Sequence, residues 1–329
     1  MNIFYTIDGN FCAQLAVGVV STCENNRDLE KLHFYVGALN VPEEDREKIA
    51  ALAARYGRGV TFLEIGDLTE RIGFDFDTYG WNEIIIARLF LGELLPPEVD
   101  RVLYMDSDTV TCGSLRHLEE LDLKGRVLGA VIEATMNRRR RRALGLEKEP
   151  YVNSGVLLVD AEKWRRERMG EKVLEFYRER GGALFCPDQD AINGAVKGKV
   201  LILSPKYNFF TQCWYYPYRV LRRLCAPARF VPERVFEDAC AHPAVIHYLG
   251  EVRPWRRGNG HRYEHFYHEY LAKTPYAGQP QEENWTGYFR VYNAFLTVLR
   301  PFPYLRYWIT DTGLPLLFKL KSVMRKRHG

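Results

Sequence analysis

Several things are missing from this 329-residue chain, and each absence removes a class of protein. No run of roughly 18 or more apolar residues occurs, so no segment reads as a membrane-spanning helix. The N-terminus, Met1-Asn-Ile-Phe-Tyr-Thr6, has neither a charged leader nor a long apolar core and reads as a first strand, not a secretion signal. The seven cysteines (Cys12, Cys23, Cys112, Cys186, Cys213, Cys225, Cys240) include no Cys-x-x-Cys pair. An odd, scattered set of this kind reads as reduced thiols and so as a cytoplasmic protein. No G-x-G-x-x-G fingerprint and no P-loop are present, which argues against a dehydrogenase or an NTPase. Nor is the charge strongly one-sided: the net formal charge is +4. From Thr286 onward eight Lys/Arg face one acid, Asp311, so the tail carries +7 and residues 1–285 carry −3. A body of that charge is no general nucleic-acid binder.

What is present begins with alternation. Strand-like runs at Asn2–Ile7, His33–Val36, Val60–Leu63 and Arg101–Met105 are separated by helix-like segments at Cys12–Glu24, Pro42–Tyr56 and Trp81–Leu94. This rhythm predicts an α/β fold with a mostly parallel sheet flanked by helices. Further strands are expected at Arg126–Ile132, Ser154–Val159, Val200–Leu203 and Ala244–Leu249, with helices over Ala161–Arg180, from about Asp188, and over His261–Lys273. The stretch Asn208–Ala241 is aromatic and irregular, and Asn137–Arg142, with five consecutive arginines, reads as a solvated loop or helix edge. The expected organisation is a main domain over 1–274, a polar linker over 275–285, and a basic aromatic helical extension over 286–329. Aromatic rings interleaved with cations suit an anionic membrane surface.

The densest chemical signal is Arg101-Val-Leu-Tyr-Met-Asp106-Ser107-Asp108. An apolar strand ends in two carboxylates two positions apart, and in extended chain such residues point to one side. Two hard oxygen ligands beyond a strand end suit Mg²⁺ or Mn²⁺, particularly one that also holds phosphates. The bland alternative is an acidic turn. Asp8-Gly9-Asn10 follows the first strand and could share the same sheet edge, or simply cap a helix. Arg88 stands among Ile, Ala, Leu and Phe and calls for an anionic partner. Asn153-Ser154-Gly155 opens an apolar strand, and Asp188-Gln189-Asp190 starts a helix after Pro187. His247 could complete a two-carboxylate, one-imidazole metal set, which favours Mn²⁺ over Mg²⁺. Gly250 and Arg253 then look like a phosphate-binding turn. A second histidine set, His261, His265 and His268, has spacing that could bind zinc, but the H-E-x-x-H pattern is absent.

In this order, Thr6-Ile-Asp8-Gly-Asn10, Ala87-Arg88-Leu, Tyr104-Met-Asp106-Ser-Asp108, Asn153-Ser-Gly155-Val, Asp188-Gln-Asp190 and His247-Tyr-Leu-Gly250 with Pro254-Trp255 resemble glycosyltransferase family 8. These are the retaining GT-A enzymes that include bacterial lipopolysaccharide galactosyl- and glucosyltransferases and glycogenin. The resemblance runs from Asn2 to about Trp255. It implies that Asp8 and Asn10 contact the uridine of a UDP-sugar and that Asp106, Asp108 and His247 hold Mn²⁺. It also implies that Arg88 and Ser107 contact the donor. Asn153, Asp188 and Gln189 would line the sugar pocket, with Asp188 and Gln189 as the catalytic pair, and Gly250 and Arg253 would hold the phosphates. The implied partners are UDP-galactose or UDP-glucose and a glycan or glycolipid acceptor, at the inner face of the cell membrane. Three departures stand out. Arg253 replaces a common Lys, Glu133 stands where an Asp often follows the strand, and Glu83-Ile-Ile-Ile precedes Arg88 in place of small hydroxyl and aromatic residues. Rival readings are a non-catalytic nucleotide-sugar-binding or membrane-docking protein, and a haloacid-dehalogenase-type phosphatase suggested by Asp106-Ser-Asp108-Thr109.

Overall fold

Strand β1 (Asn2–Asp8) alternates its apolar side chains between two layers, as period-2 geometry requires. Ile3, Tyr5 and Ile7 enter one core; Phe4 enters the other. The computed structural model describes residues 1–313. The remaining strands are β2 (His33–Leu39), β3 (Gly59–Glu64), β4 (Arg101–Met105), β5 (Thr109–Thr111), β6 (Leu128–Ile132), β7 (Val152–Asp160), β8 (Val200–Ile202), β9 (Phe209–Phe210) and β10 (Val245–His247). Seven of them form the main sheet in the order β3-β2-β1-β4-β7-β6-β8. All share one direction except β7, which runs antiparallel to both β4 and β6.

That single reversed strand matters for function. The C-terminal ends of β1 and β4 meet at one edge of the sheet, as expected for parallel neighbours. Because β7 is antiparallel, it is its beginning, Asn153-Ser154-Gly155, that reaches the same edge: Val156 pairs with Met105 and Asp106 N–H donates to Gly155 O at 2.8 Å. A small second sheet, β5-β10-β9, crosses that edge.

Helices cover both faces. Cys12–Asn25, Glu43–Ala54 and Glu264–Leu271 pack on one core; Ala161–Arg166, Met169–Arg178 and Pro187–Ala195 pack on the other. Three expectations need correction. Trp81–Leu94 is not one α-helix: Glu83–Phe90 is a 3₁₀ segment followed by one α turn, Leu91–Leu94. Three consecutive β-branched residues, Ile84 to Ile86, crowd their χ1 rotamers in an α-helix, which accounts for the break. Ala161–Arg180 is interrupted at Arg168, whose φ is +53°. The irregular stretch contains β9 and the short helices Thr211–Tyr215, Tyr218–Cys225 and Glu233–Ala241.

The arginine run is also not merely solvated. It forms the helix Arg138–Ala143, and Arg141, 2% exposed, donates to the carbonyls of Leu224, Cys225 and Ala226 at the end of Tyr218–Cys225. A cation there satisfies carbonyls left over by the helix and opposes its dipole.

Within 275–285, Tyr276 OH donates to Asp45 at 2.8 Å and Glu282 N–H to Trp255 O at 2.8 Å. The extension then forms the helix Thr286–Val298 and a second helix over 303–313. Phe289 is fully buried, Arg306 donates to Tyr215 O, and Tyr307 OH donates to Thr135 O at 3.1 Å. The basic end, with Lys319, Lys321, Arg325, Lys326 and Arg327, lies outside the described residues. No helix among the described residues is long and apolar enough to cross a membrane. None of the seven cysteines is in a disulfide.

Candidate active site

Beyond Met105 the chain turns through Asp106-Ser107-Asp108 into β5. Thr109 pairs with His247 of β10, and Tyr248 N–H donates to Asp108 O at 2.9 Å. This small antiparallel ladder, not sequence proximity, sets the imidazole beside the carboxylates. His247 Nε2 lies 3.2 Å from Asp108 Oδ1 and 3.8 Å from Asp106 Oδ2. Among the described residues these three are the group of metal-type side chains that converge, their ligand atoms all within 4.8 Å of one another.

Two of the three are almost dry, His247 at 1% and Asp108 at 8% exposed, and Asp106 is half-buried. Yet His247 Nε2 and Asp108 Oδ1 both lack a hydrogen-bond partner, their close approach being misaligned for one. Buried polar atoms left unpaired cost of order 1–3 kcal/mol each. A divalent cation would satisfy both, so the residues fit one. The backbone also makes room here. A Cβ on Gly155 would sit 2.3 Å from His247 Cε1 and 2.8 Å from Asp106 Oδ2.

Charge is balanced by two arginines. Burial alone would raise the Asp108 carboxyl, but the facing His247, when protonated, and Arg253 overcome it and hold it below the usual carboxylate range. Arg253, three residues after the left-handed turn at Gly250 (φ +91°), donates to Asp108 Oδ2 at 3.0 Å. Arg88, 4% exposed, holds Asp106 Oδ1 at 2.7 Å and Asp188 Oδ2 at 3.2 Å, and donates to Ser154 O at 3.1 Å. Its guanidinium sits 4.7 Å from the centre of the Tyr104 ring.

Asn153 and Gln189 form a buried hydrogen-bonded pair beside the carboxylates. Gln189 Oε1 accepts from Asn153 Nδ2 at 2.9 Å and Ser154 N at 3.0 Å; its Nε2 donates to Glu133 at 3.0 Å and to Tyr151 OH at 2.9 Å. Ser154 Oγ donates to Asp188 at 2.8 Å. Burial raises the carboxyls of Asp188 and Glu133 against these donors.

Asp106, Asp108, His247, Arg88, Arg253, Asn153, Asp188 and Gln189 thus form one contact network. Asp8 and Asn10 form a separate group at the end of β1: Asp8 accepts from Asn10 N–H at 2.9 Å and from Asn82 Nδ2. Ser107 lies half-buried in the turn. His261, His265 and His268 do not converge. His261 is buried against Trp214 and Tyr248, where burial pushes its pKa down to about 3, and His268 Nε2 lies 3.4 Å from Gln281.

The sequence reading missed Tyr104, whose OH donates to Asp106 at 2.7 Å, and Asn208, which contacts His247 at 2.9 Å. Tyr104 was within reach of it, because residues i and i−2 share a strand face. Asn208 carries no local signal.

The model of glycosyltransferase family 8 matches residues 2–259. The chain belongs to glycosyltransferase family 8. Its curated relatives include a lipopolysaccharide 1,2-glucosyltransferase of Escherichia coli K12, 28% identical over 262 residues, or 78% of this chain and 73% of that protein. General stress protein A of Bacillus subtilis is 24% identical over 277 residues, covering 83% and 94%. Among solved structures, the galactosyltransferase LgtC in complex with donor and acceptor sugar analogs aligns over 87% of this chain and 99% of that one, with a TM-score of 0.72 and 27% identity. The fold is therefore GT-A: a mixed α/β sheet flanked by helices, with a C-terminal helical extension. The family match leaves the phosphatase reading without support.

Proposed function

We propose that this protein is a retaining hexosyltransferase that moves galactose or glucose from a UDP-sugar to a glycolipid, lipopolysaccharide or cell-surface glycan. The observation that carries the reading is the convergence of Asp106, Asp108 and His247 at the sheet edge, joined by ion pairs and hydrogen bonds to Arg88, Asn153, Asp188 and Gln189. Two carboxylates and one imidazole favour Mn²⁺, with Mg²⁺ as the second choice. The cation would oppose the negative charge that grows on the departing diphosphate. Arg253 would add to this once it turns from Asp108 to the phosphates. Asp8 and Asn10, at the end of neighbouring β1, offer acceptor and donor groups to the uracil and ribose.

Retention needs a protein nucleophile or attack by the acceptor on the face the diphosphate leaves. Every polar atom of the Gln189 amide is already hydrogen-bonded, and a neutral amide has no base to activate it. Asp188 is held by Arg88 and Ser154; Asp190 by Tyr151 OH at 2.6 Å and Cys186 N–H at 3.1 Å. These contacts support same-face attack, with a diphosphate oxygen taking the acceptor proton. A glycosyl adduct on Asp188 or Asp190, trapped and found by mass spectrometry, would rule it out.

For the acceptor side we infer a lipid surface, at the inner face of the cell membrane. Among the described residues, the eight exposed large apolar side chains, from Tyr288 to Ile309, all belong to the helical extension. The test of the main reading is UDP release from UDP-galactose and UDP-glucose with Mn²⁺, Mg²⁺ or EDTA. Mn²⁺-dependent release lost in Asp106→Asn is expected; UDP binding by calorimetry without release would favour a non-catalytic nucleotide-sugar-binding protein, and neither release nor binding would defeat the donor-site reading altogether.

A further inference from the structure

We propose that Asn208 is a positioning residue that fixes the tautomer of His247 and so aims its Nε2 lone pair at the cation site. The inference rests on the reading of Asp106, Asp108 and His247 as a metal site. Asn208 is fully buried between the turn Pro205–Tyr207 and the beginning of β9. Its amide bridges His247 and Asn153.

The direction of that bridge is set by groups that cannot flip. Gly155 N–H is a backbone donor, and it reaches Asn153 Oδ1 at 3.0 Å, which fixes that atom as the oxygen. Asn153 Nδ2 then donates to Glu133 Oε2 at 2.9 Å, a second contact that only an N–H can make. Asn208 Nδ2 donates to the same Asn153 Oδ1 at 2.8 Å. The oxygen of Asn208 is therefore the atom 2.9 Å from His247 Nδ1. An amide oxygen only accepts, so Nδ1 carries the hydrogen. In the neutral ring this leaves the lone pair on Nε2, the atom that faces Asp106 and Asp108 and has no hydrogen-bond partner of its own.

One polar chain thus runs from Glu133 through Asn153 and Asn208 to His247. Its anchor also holds Gln189, whose Nε2 donates to the same Glu133 oxygen at 3.0 Å. The sugar-pocket amide and the metal-ligand imidazole share one orienting carboxylate. Groups that orient a ligand's second nitrogen commonly change metal affinity 10- to 100-fold when removed.

The experiment uses the full chain, Asn208→Ala and Asn208→Asp. Mn²⁺ affinity is read at pH 8 from the paramagnetic resonance of free Mn²⁺. The His247 tautomer is read from imidazole ¹⁵N shifts in metal-free protein at pH 9. Asn208→Ala is expected to weaken Mn²⁺ binding about 10- to 100-fold and to move the proton toward Nε2, where Asp108 Oδ1 can accept it. Asn208→Asp keeps an acceptor for Nδ1–H but loses the donor to Asn153. It is expected to hold the wild-type tautomer and bind Mn²⁺ within about threefold of wild type. The proposal is overturned if Asn208→Asp loses Mn²⁺ as severely as Asn208→Ala, which would mean the amide is only structural. It is equally overturned if wild-type His247 carries its proton on Nε2. Should wild type bind no Mn²⁺, or bind it equally well as His247→Ala, the metal reading falls. The tautomer measurement needs no metal and still decides the role of Asn208.

Discussion

The strand-end site and the C-terminal extension break the usual distribution of polar and apolar groups in opposite ways. At the site, charged and amide side chains are inside: Arg88, Asp108, Asn153, Asp188, Gln189, Asn208 and His247 are all buried. On the extension, Tyr288, Val291, Val298, Phe302, Tyr304, Leu305, Trp308 and Ile309 are outside. Buried polar groups and exposed apolar patches are the two departures that carry information about function. The difference lies in how each is paid for. The site satisfies most of its buried polar atoms internally and leaves His247 Nε2 and Asp108 Oδ1 facing one point, with Arg253 Nε also unpaired. The extension makes polar contacts to the body through Arg306, Tyr307 and Asp311, and leaves a row of apolar side chains exposed. One region turns polar atoms inward on a single point; the other turns apolar side chains outward.

The comparison can be broken most sharply at Gly155. A Cβ there would collide with His247 and Asp106. Gly155→Ala is expected to lower metal-dependent UDP release about 100-fold, the usual scale for an ångström of misplacement, while leaving vesicle binding unchanged. Steady-state kinetics and vesicle sedimentation on the same preparation check it; an active Gly155→Ala would mean that the packing of His247 is not needed. Arg253 tests charge against geometry. Arg253→Ala should cost more UDP release than Arg253→Lys, by about tenfold, because lysine keeps the charge and loses the fork. Equal losses in the two variants would show that the planar fork, not the charge, is what matters. On the other region, Leu305→Ala combined with Trp308→Ala should weaken sedimentation with anionic vesicles about tenfold, with UDP release unchanged. Unaltered sedimentation would remove the extension from membrane docking.

The smallest expected effect is a pH dependence. Burial raises the Asp190 carboxyl to about 6 from 3.8, against the donors Tyr151 and Cys186. The folded state therefore binds this proton more tightly than the unfolded chain. The stability it contributes is full below about pH 4 and is lost as pH rises through 6. Asp190→Asn removes that slope, so wild type should lose about 2 kcal/mol relative to the variant between pH 4 and 7 in urea titrations. Parallel curves would mean that Asp190 ionises normally.

Much of this was legible in the chain. The strand β4 is bounded as its apolar run suggested, Arg101 to Met105, because a buried strand ends where two carboxylates must meet a ligand or solvent. The helix Pro187–Ala195 begins at the proline, whose fixed φ suits the first turn. The arginine run misled, because composition alone does not reveal that Arg141 would find three helix-end carbonyls more than 80 residues away. The 3₁₀ segment that holds Arg88 departs from the expected helix for a local reason, the weight of three β-branched residues, that periodicity does not register.

The sequence alone determined the order of elements, the pair of carboxylates past β4, the unusual buried Arg88 and the concentration of aromatics and cations at the C-terminal end. These follow from residue type and from spacing along a strand or helix. Tertiary structure alone decided that β7 runs backwards and delivers Asn153 to the edge, that the β5–β10 ladder brings His247 to Asp108, and that Asn208 stands behind the imidazole. Each joins residues tens to more than a hundred positions apart. Such meetings are settled by hydrogen-bond register and by the need to pair every buried polar group, which act on the folded chain and leave no periodic trace in the sequence.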